Sequence, residues 1–76
     1  MAGELLKLYE AADVIRMEIS VLHSKKEALS YDRDLVNDDE DQYEGFESQL
    51  IDIEIEIEQL QIQLDEVEER LESWNV

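Results

Sequence analysis

The chain has 76 residues, of which 22 are Asp or Glu and six are Lys or Arg, for a formal net charge of −16. It holds no Cys and no Pro, which excludes a disulfide framework and a Cys-containing zinc site. No apolar run exceeds two residues, so no segment is expected to span a membrane. Met1-Ala2-Gly3-Glu4 carries neither a basic n-region nor an apolar h-region, and the expected location is cytoplasmic. A chain this short buries little core alone and usually needs help, often from oligomerisation.

The first half repeats apolar residues at spacings of three and four: Leu5, Leu8, Ala12, Ile15, Ile19 and Leu22. Lys26, Leu29, Arg33 and Val36 continue the stripe, with two cations in it. Ala, Leu, Glu, Met and Lys are frequent, which favours helix. The pattern predicts a helix over 3–36 and a turn over 37–39. In the segment Asn37-Asp38-Asp39-Glu40-Asp41-Gln42, Asp38 or Asp39 suits an N-cap. Asp39 with Gln42 three residues on resembles a capping box, and the acids suit the positive end of a helix dipole.

The second half carries a heptad. Tyr43, Leu50, Ile57, Leu64 and Leu71 recur every seven residues, and Phe46, Ile53, Leu60, Val67 and Trp74 follow three residues behind each. All ten a and d positions are apolar, which predicts a coiled-coil seam on a helix over 40–74. The stretch from Ile51 to Glu58 alternates as a strand would, but its phase slips between Ile57 and Leu60 while the heptad runs on. Gly45 falls off the seam.

Two helices of matched length and a short turn predict an all-α fold, an antiparallel two-helix hairpin in one domain over 1–76. Folded near Asp38, opposed residue numbers sum to about 76. Ala12 then meets Leu64, Ile19 meets Ile57 and Leu29 meets Phe46. Lys26 and Arg33 lie opposite Leu50 and Tyr43, with their heads expected to reach Asp52 and Glu44. Val14, Met17, Val21, Ala28, Tyr31 and Leu35 are left off the first seam, and Ile51, Ile55 and Ile62 off the second. Exposed apolar surface usually marks an interface. The expected remedy is a homodimer forming a four-helix bundle through Val14, Met17, Val21, Ile51, Ile55 and Ile62.

The sequence offers little for catalysis. His23 is the one histidine, read as a surface or interface residue. There is no Cys nucleophile, and two thin helices offer no apolar pocket to raise a carboxyl pKa. An EF-hand loop begun at Asn37 fails, because its sixth position is Gln42 and its twelfth is Ser48. No catalytic, metal or cofactor residue is expected. Ser48, Gln49 and Asp52 match three of five residues in the Ser-Gln-Glu-Leu-Asp stretch of the small two-helix aspartyl-phosphate phosphatases of sporulating bacteria. That resemblance covers five residues of 76, departs at Leu50 and Ile51, and carries no assignment.

The charge is lopsided. Residues 1–36 hold five cations against seven acids; residues 37–76 hold Arg70 against fifteen. Asymmetry of this kind points to a charged partner. Carboxylates on rigid helices approach the linear charge of nucleic acid. The acids of the final turns, Asp65 to Glu72, also oppose the helix dipole, against helix stability. The expectation is a DNA-mimicking inhibitor, by analogy with small acidic phage proteins that block restriction, repair or CRISPR enzymes. Its partner would be a basic nucleic-acid-binding protein or nuclease, bound in place of DNA or RNA. No direct nucleic-acid or membrane binding is expected. The expected contact residues are Asp38, Asp39, Glu40, Asp41, Glu44, Glu47, Glu54, Glu58, Asp65, Glu66, Glu69 and Glu72. The rival is a coiled-coil adaptor or small chaperone that binds through its apolar surplus, with the acids serving solubility.

Overall fold

A computed structural model describes residues 2–74. Helix α1 spans Ala2–Leu35 and α2 spans Glu40–Trp74, packed side by side as a hairpin. The first helix starts and ends one residue before the range predicted from the sequence. Its end follows from local chemistry. The Val36 amide donates to the Arg33 carbonyl at 3.2 Å, a three-residue span in place of the helical four. Asn37, Asp38 and Asp39 then compete with the helix for backbone bonds.

Asp39 is the N-cap of α2. Its carbonyl accepts from the Tyr43 amide at 2.9 Å, and its Oδ1 accepts from the Gln42 amide at 3.3 Å. The capping box is half formed, because the Asp39 amide donates to the Val36 carbonyl at 2.9 Å instead of to Gln42.

The seam has the predicted register. Ala12, Ile15 and Leu64 form a buried cluster, joined by Ile19, Leu60 and Val67, and Leu50 is buried further along. Trp74 departs from the pattern: it is 42% exposed, at the end of the rod away from the turn. The hairpin is a rod of 57 × 14 × 14 Å with a radius of gyration of 17.2 Å, against about 11 Å for a compact chain of this length. It exposes 5839 Å², whereas a compact monomer of 8.9 kDa exposes about 4,800 Å². No helix among the described residues is long and apolar enough to cross a membrane.

A Cβ added at Gly45 would meet nothing within 4 Å, and the backbone there is ordinary helix. Gly45→Ala should therefore raise stability by about 0.5–1 kcal/mol, measured by urea unfolding. No gain would mean that α2 is frayed at this turn.

Candidate functional site

The heptad divides the hairpin into unlike flanks. In α1 the stripe puts Leu5, Ala12, Ile19, Lys26 and Arg33 at a and Leu8, Ile15, Leu22 and Leu29 at d. With a and d in the seam, the e and b positions of both helices line one side, the g and c positions line the other, and f lies at the back. Side-chain contacts agree with this division. Three ion pairs among the described residues cross between the helices: Arg16–Glu68 at 3.4 Å, Lys26–Glu54 at 3.3 Å and Arg33–Glu47 at 2.6 Å. All three carboxylates sit at e.

The partners of Lys26 and Arg33 correct the sequence expectation of Asp52 and Glu44. Those two residues occupy c and b, turned off the seam edge. Helical side chains also lean toward their own N-terminus. In an antiparallel pair, each cation and its carboxylate therefore lean toward one another when their numbers sum above 76, as 26 with 54 and 33 with 47 do. The Arg33 guanidinium also lies over the Tyr43 ring, 5.6 Å from its centroid. Its bond to Glu47 raises its pKa above the ordinary arginine value, with the nearby Tyr43 and Asp34 acting in the same direction against desolvation. A raised pKa leaves the guanidinium charged at every working pH.

The ion-paired flank is the acidic one. It carries ten carboxylates, namely Asp13, Glu27, Asp34, Glu44, Glu47, Glu54, Glu58, Asp65, Glu68 and Glu72, against Arg16 and the heads of Lys26 and Arg33, a net of −7. Six of the twelve expected contact residues meet here: Glu44, Glu47, Glu54, Glu58, Asp65 and Glu72. Asp38, Asp39 and Glu40 stand at the turn end of the rod, with the Asp39 side chain committed to its cap. Asp41 and Glu69 lie at the back, and Glu66 on the opposite flank. Glu47 and Glu54 are taken up by Arg33 and Lys26. Asp13, Glu27, Asp34 and Glu68 belong to the flank although the sequence reading passed over them. Counting charge by halves placed the first three in a near-neutral segment; their b positions were the available signal.

The other flank is grooved. Three grooves lie along it, lined successively by Glu4, Lys7, Leu8, Arg70, Ser73 and Trp74, by Val14, Met17, Glu18, Val21, Leu22, Glu56 and Leu60, and by Leu22, Lys25, Ala28, Leu29, Gln49, Asp52, Ile53 and Glu56. The middle one is the most apolar. Lys7, Lys25 and Arg70 stand here against Glu4, Glu18, Asp32, Asp52, Glu56 and Glu66, a net of −3.

The six expected dimer residues are all exposed in the hairpin, but they do not form one patch. Val14, Met17 and Val21 line the middle groove, whose α2 wall is Glu56 and Leu60. Ile51, at b, is on the acidic flank, and Ile55 and Ile62, at f, are on the back of α2. Being level along the rod, as Val14 is with Ile62, does not put two residues on one face. Leu6 and Tyr9 are also exposed, on the acidic flank. No group of three or more His, Asp or Glu among the described residues is placed to hold a metal ion.

Two opposing effects act on the acidic flank: self-repulsion within a chain of net charge −16, and attraction within its ion pairs, the three that cross and two within α1, Arg16–Asp13 and Arg33–Asp34. Exposed pairs contribute little, so repulsion should dominate. Raising NaCl from 0.05 to 0.5 M shortens the screening length from about 14 to about 4 Å. The thermal midpoint, followed by circular dichroism, should then rise by about 5 °C. A fall would show that the ion pairs outweigh the repulsion.

The chain matches no family model, no curated protein sequence and no solved structure.

Proposed function

We propose that this hairpin is a DNA-mimicking inhibitor that occupies the nucleic-acid site of a basic protein or nuclease in the cytoplasm, the host's if a phage encodes it. In the same reading two hairpins pair into a four-helix bundle, and no residue is assigned to catalysis. The observation that carries it is the flank of net −7 running along a 57 Å rod. Helix α2 alone bears thirteen carboxylates and Arg70 over 35 residues, which is about 52 Å of helix. That is one net charge per about 4 Å, against 3.4 Å between phosphates on one DNA strand. A helix also holds its carboxylates on a rigid frame, so a groove lined with Lys and Arg meets charge already ordered. Release of counterions would drive the association, as it drives DNA binding.

The test is capture of partners from bacterial lysate on the tagged protein, with elution by short duplex DNA. The expected result is release of a nucleic-acid-binding protein by DNA, and loss of its affinity by about 10³ between 50 and 200 mM salt, as for six or more phosphate-like contacts. A partner that stays bound against both DNA and high salt would overturn mimicry and favour an adaptor that binds through apolar surface.

A further inference from the structure

We infer that the grooved flank, centred on Val14, Met17, Val21 and Leu60, is the face on which a second copy of this chain packs. The inference rests on the pairing part of the proposed function and not on the partner being a nucleic-acid-binding protein. It also moves the interface away from Ile51, Ile55 and Ile62.

Charge selects the face. Two acidic flanks brought together would oppose seven net negative charges to seven, with the cations on each already held by carboxylates of their own chain. The grooved flank interleaves its signs instead. Lys7, Lys25 and Arg70 are spread along it among carboxylates such as Glu18 and Glu56, so a two-fold partner can set cation against acid.

Shape selects the same face. The ion pairs bridge the helices on the acidic side, whereas the grooves lie along the other side, where Leu8, Leu22, Leu29, Ile53 and Leu60 are only half covered. Val14 and Val21 flank the central groove at 53% and 55% exposure. Size is sufficient as well. A face of 57 by 14 Å is about 800 Å² in projection, the area each partner gives to a standard interface. The hairpin's surface exceeds that of a compact monomer by a similar amount, about 1,000 Å². Pairing through this face leaves both acidic flanks outward, on opposite sides of the bundle.

The experiment is sedimentation equilibrium of the full chain, with helicity checked by circular dichroism. Wild type should sediment at twice its 8.9 kDa. Val21→Glu should weaken pairing at least about 100-fold while remaining helical, because it buries a charge at the centre of the face. Ile62→Glu adds the same charge on the back and should leave pairing unchanged. A monomeric wild type, a Val21→Glu protein that still pairs, or an Ile62→Glu protein that does not would each overturn the assignment. Should Val21→Glu lose its helicity, spin labels decide. The chain has no cysteine, so Gln63→Cys on the grooved flank and Glu58→Cys on the acidic flank each carry a single label. Immobilisation at 63 with free motion at 58 is expected, and equal mobility at both overturns the inference. Because DNA takes no part in these readings, failure of mimicry would leave them unaffected.

Discussion

Two helices alone can bury only one stripe of each, and every other property of this molecule follows from that constraint. The stripe on α2 is complete, with ten apolar a and d positions, and it meets an α1 stripe broken by Lys26 and Arg33. Even so, few of the described residues are buried: Ala12, Ile15, Leu50 and Leu64. A seam one residue wide leaves the sides of both helices in water. The character of those sides therefore decides what the protein can touch. The broken stripe also shapes them, because Lys26 and Arg33 lean out of the seam to carboxylates at e and tie the helices together on one side only.

That one-sidedness turns a uniformly acidic composition into a polarised surface. The flank with the crossing ion pairs collects ten of the 22 carboxylates, more than any other face, and the flank without them keeps open grooves and half of the cations. A division of labour follows from this arrangement. Charge that would repel a second copy is the charge that suits a basic partner, and the face poor in net charge can meet its own image. In the proposed reading, self-association and polyanion display would not compete for the same side chains.

Much of the fold was legible in the residues, because a heptad specifies both a helix and its buried stripe. The matched lengths and the Asp39 cap supplied the turn, and Ala12 opposite Leu64 supplied the register. Less was legible where side-chain direction matters. Asp52 and Glu44 were expected to meet Lys26 and Arg33 because they are nearly level with them; lean along the helix and position on the wheel instead select Glu54 and Glu47. Trp74 carries the right heptad letter, yet it stays 42% exposed. The candidate site was half legible. Glu44, Glu58, Asp65 and Glu72 stood out in the acidic second half, whereas Asp13, Glu27 and Asp34 were hidden in a segment whose cations nearly cancel its acids in a sum. Assigning each residue to a face, and not to a half, recovers them.

The central claim is that the acidic flank, and not the total charge, is what a basic partner reads. It is tested most directly by two fourfold variants of equal charge, each lowering the net from −16 to −12. One replaces Glu44, Glu58, Asp65 and Glu72 on the acidic flank with their amides; the other replaces Glu10, Asp52, Glu66 and Glu69 elsewhere. Affinity for the captured partner should fall by about 30-fold or more in the first and by less than about fivefold in the second. An equal loss in both would show that net charge alone is read, and would contradict the account.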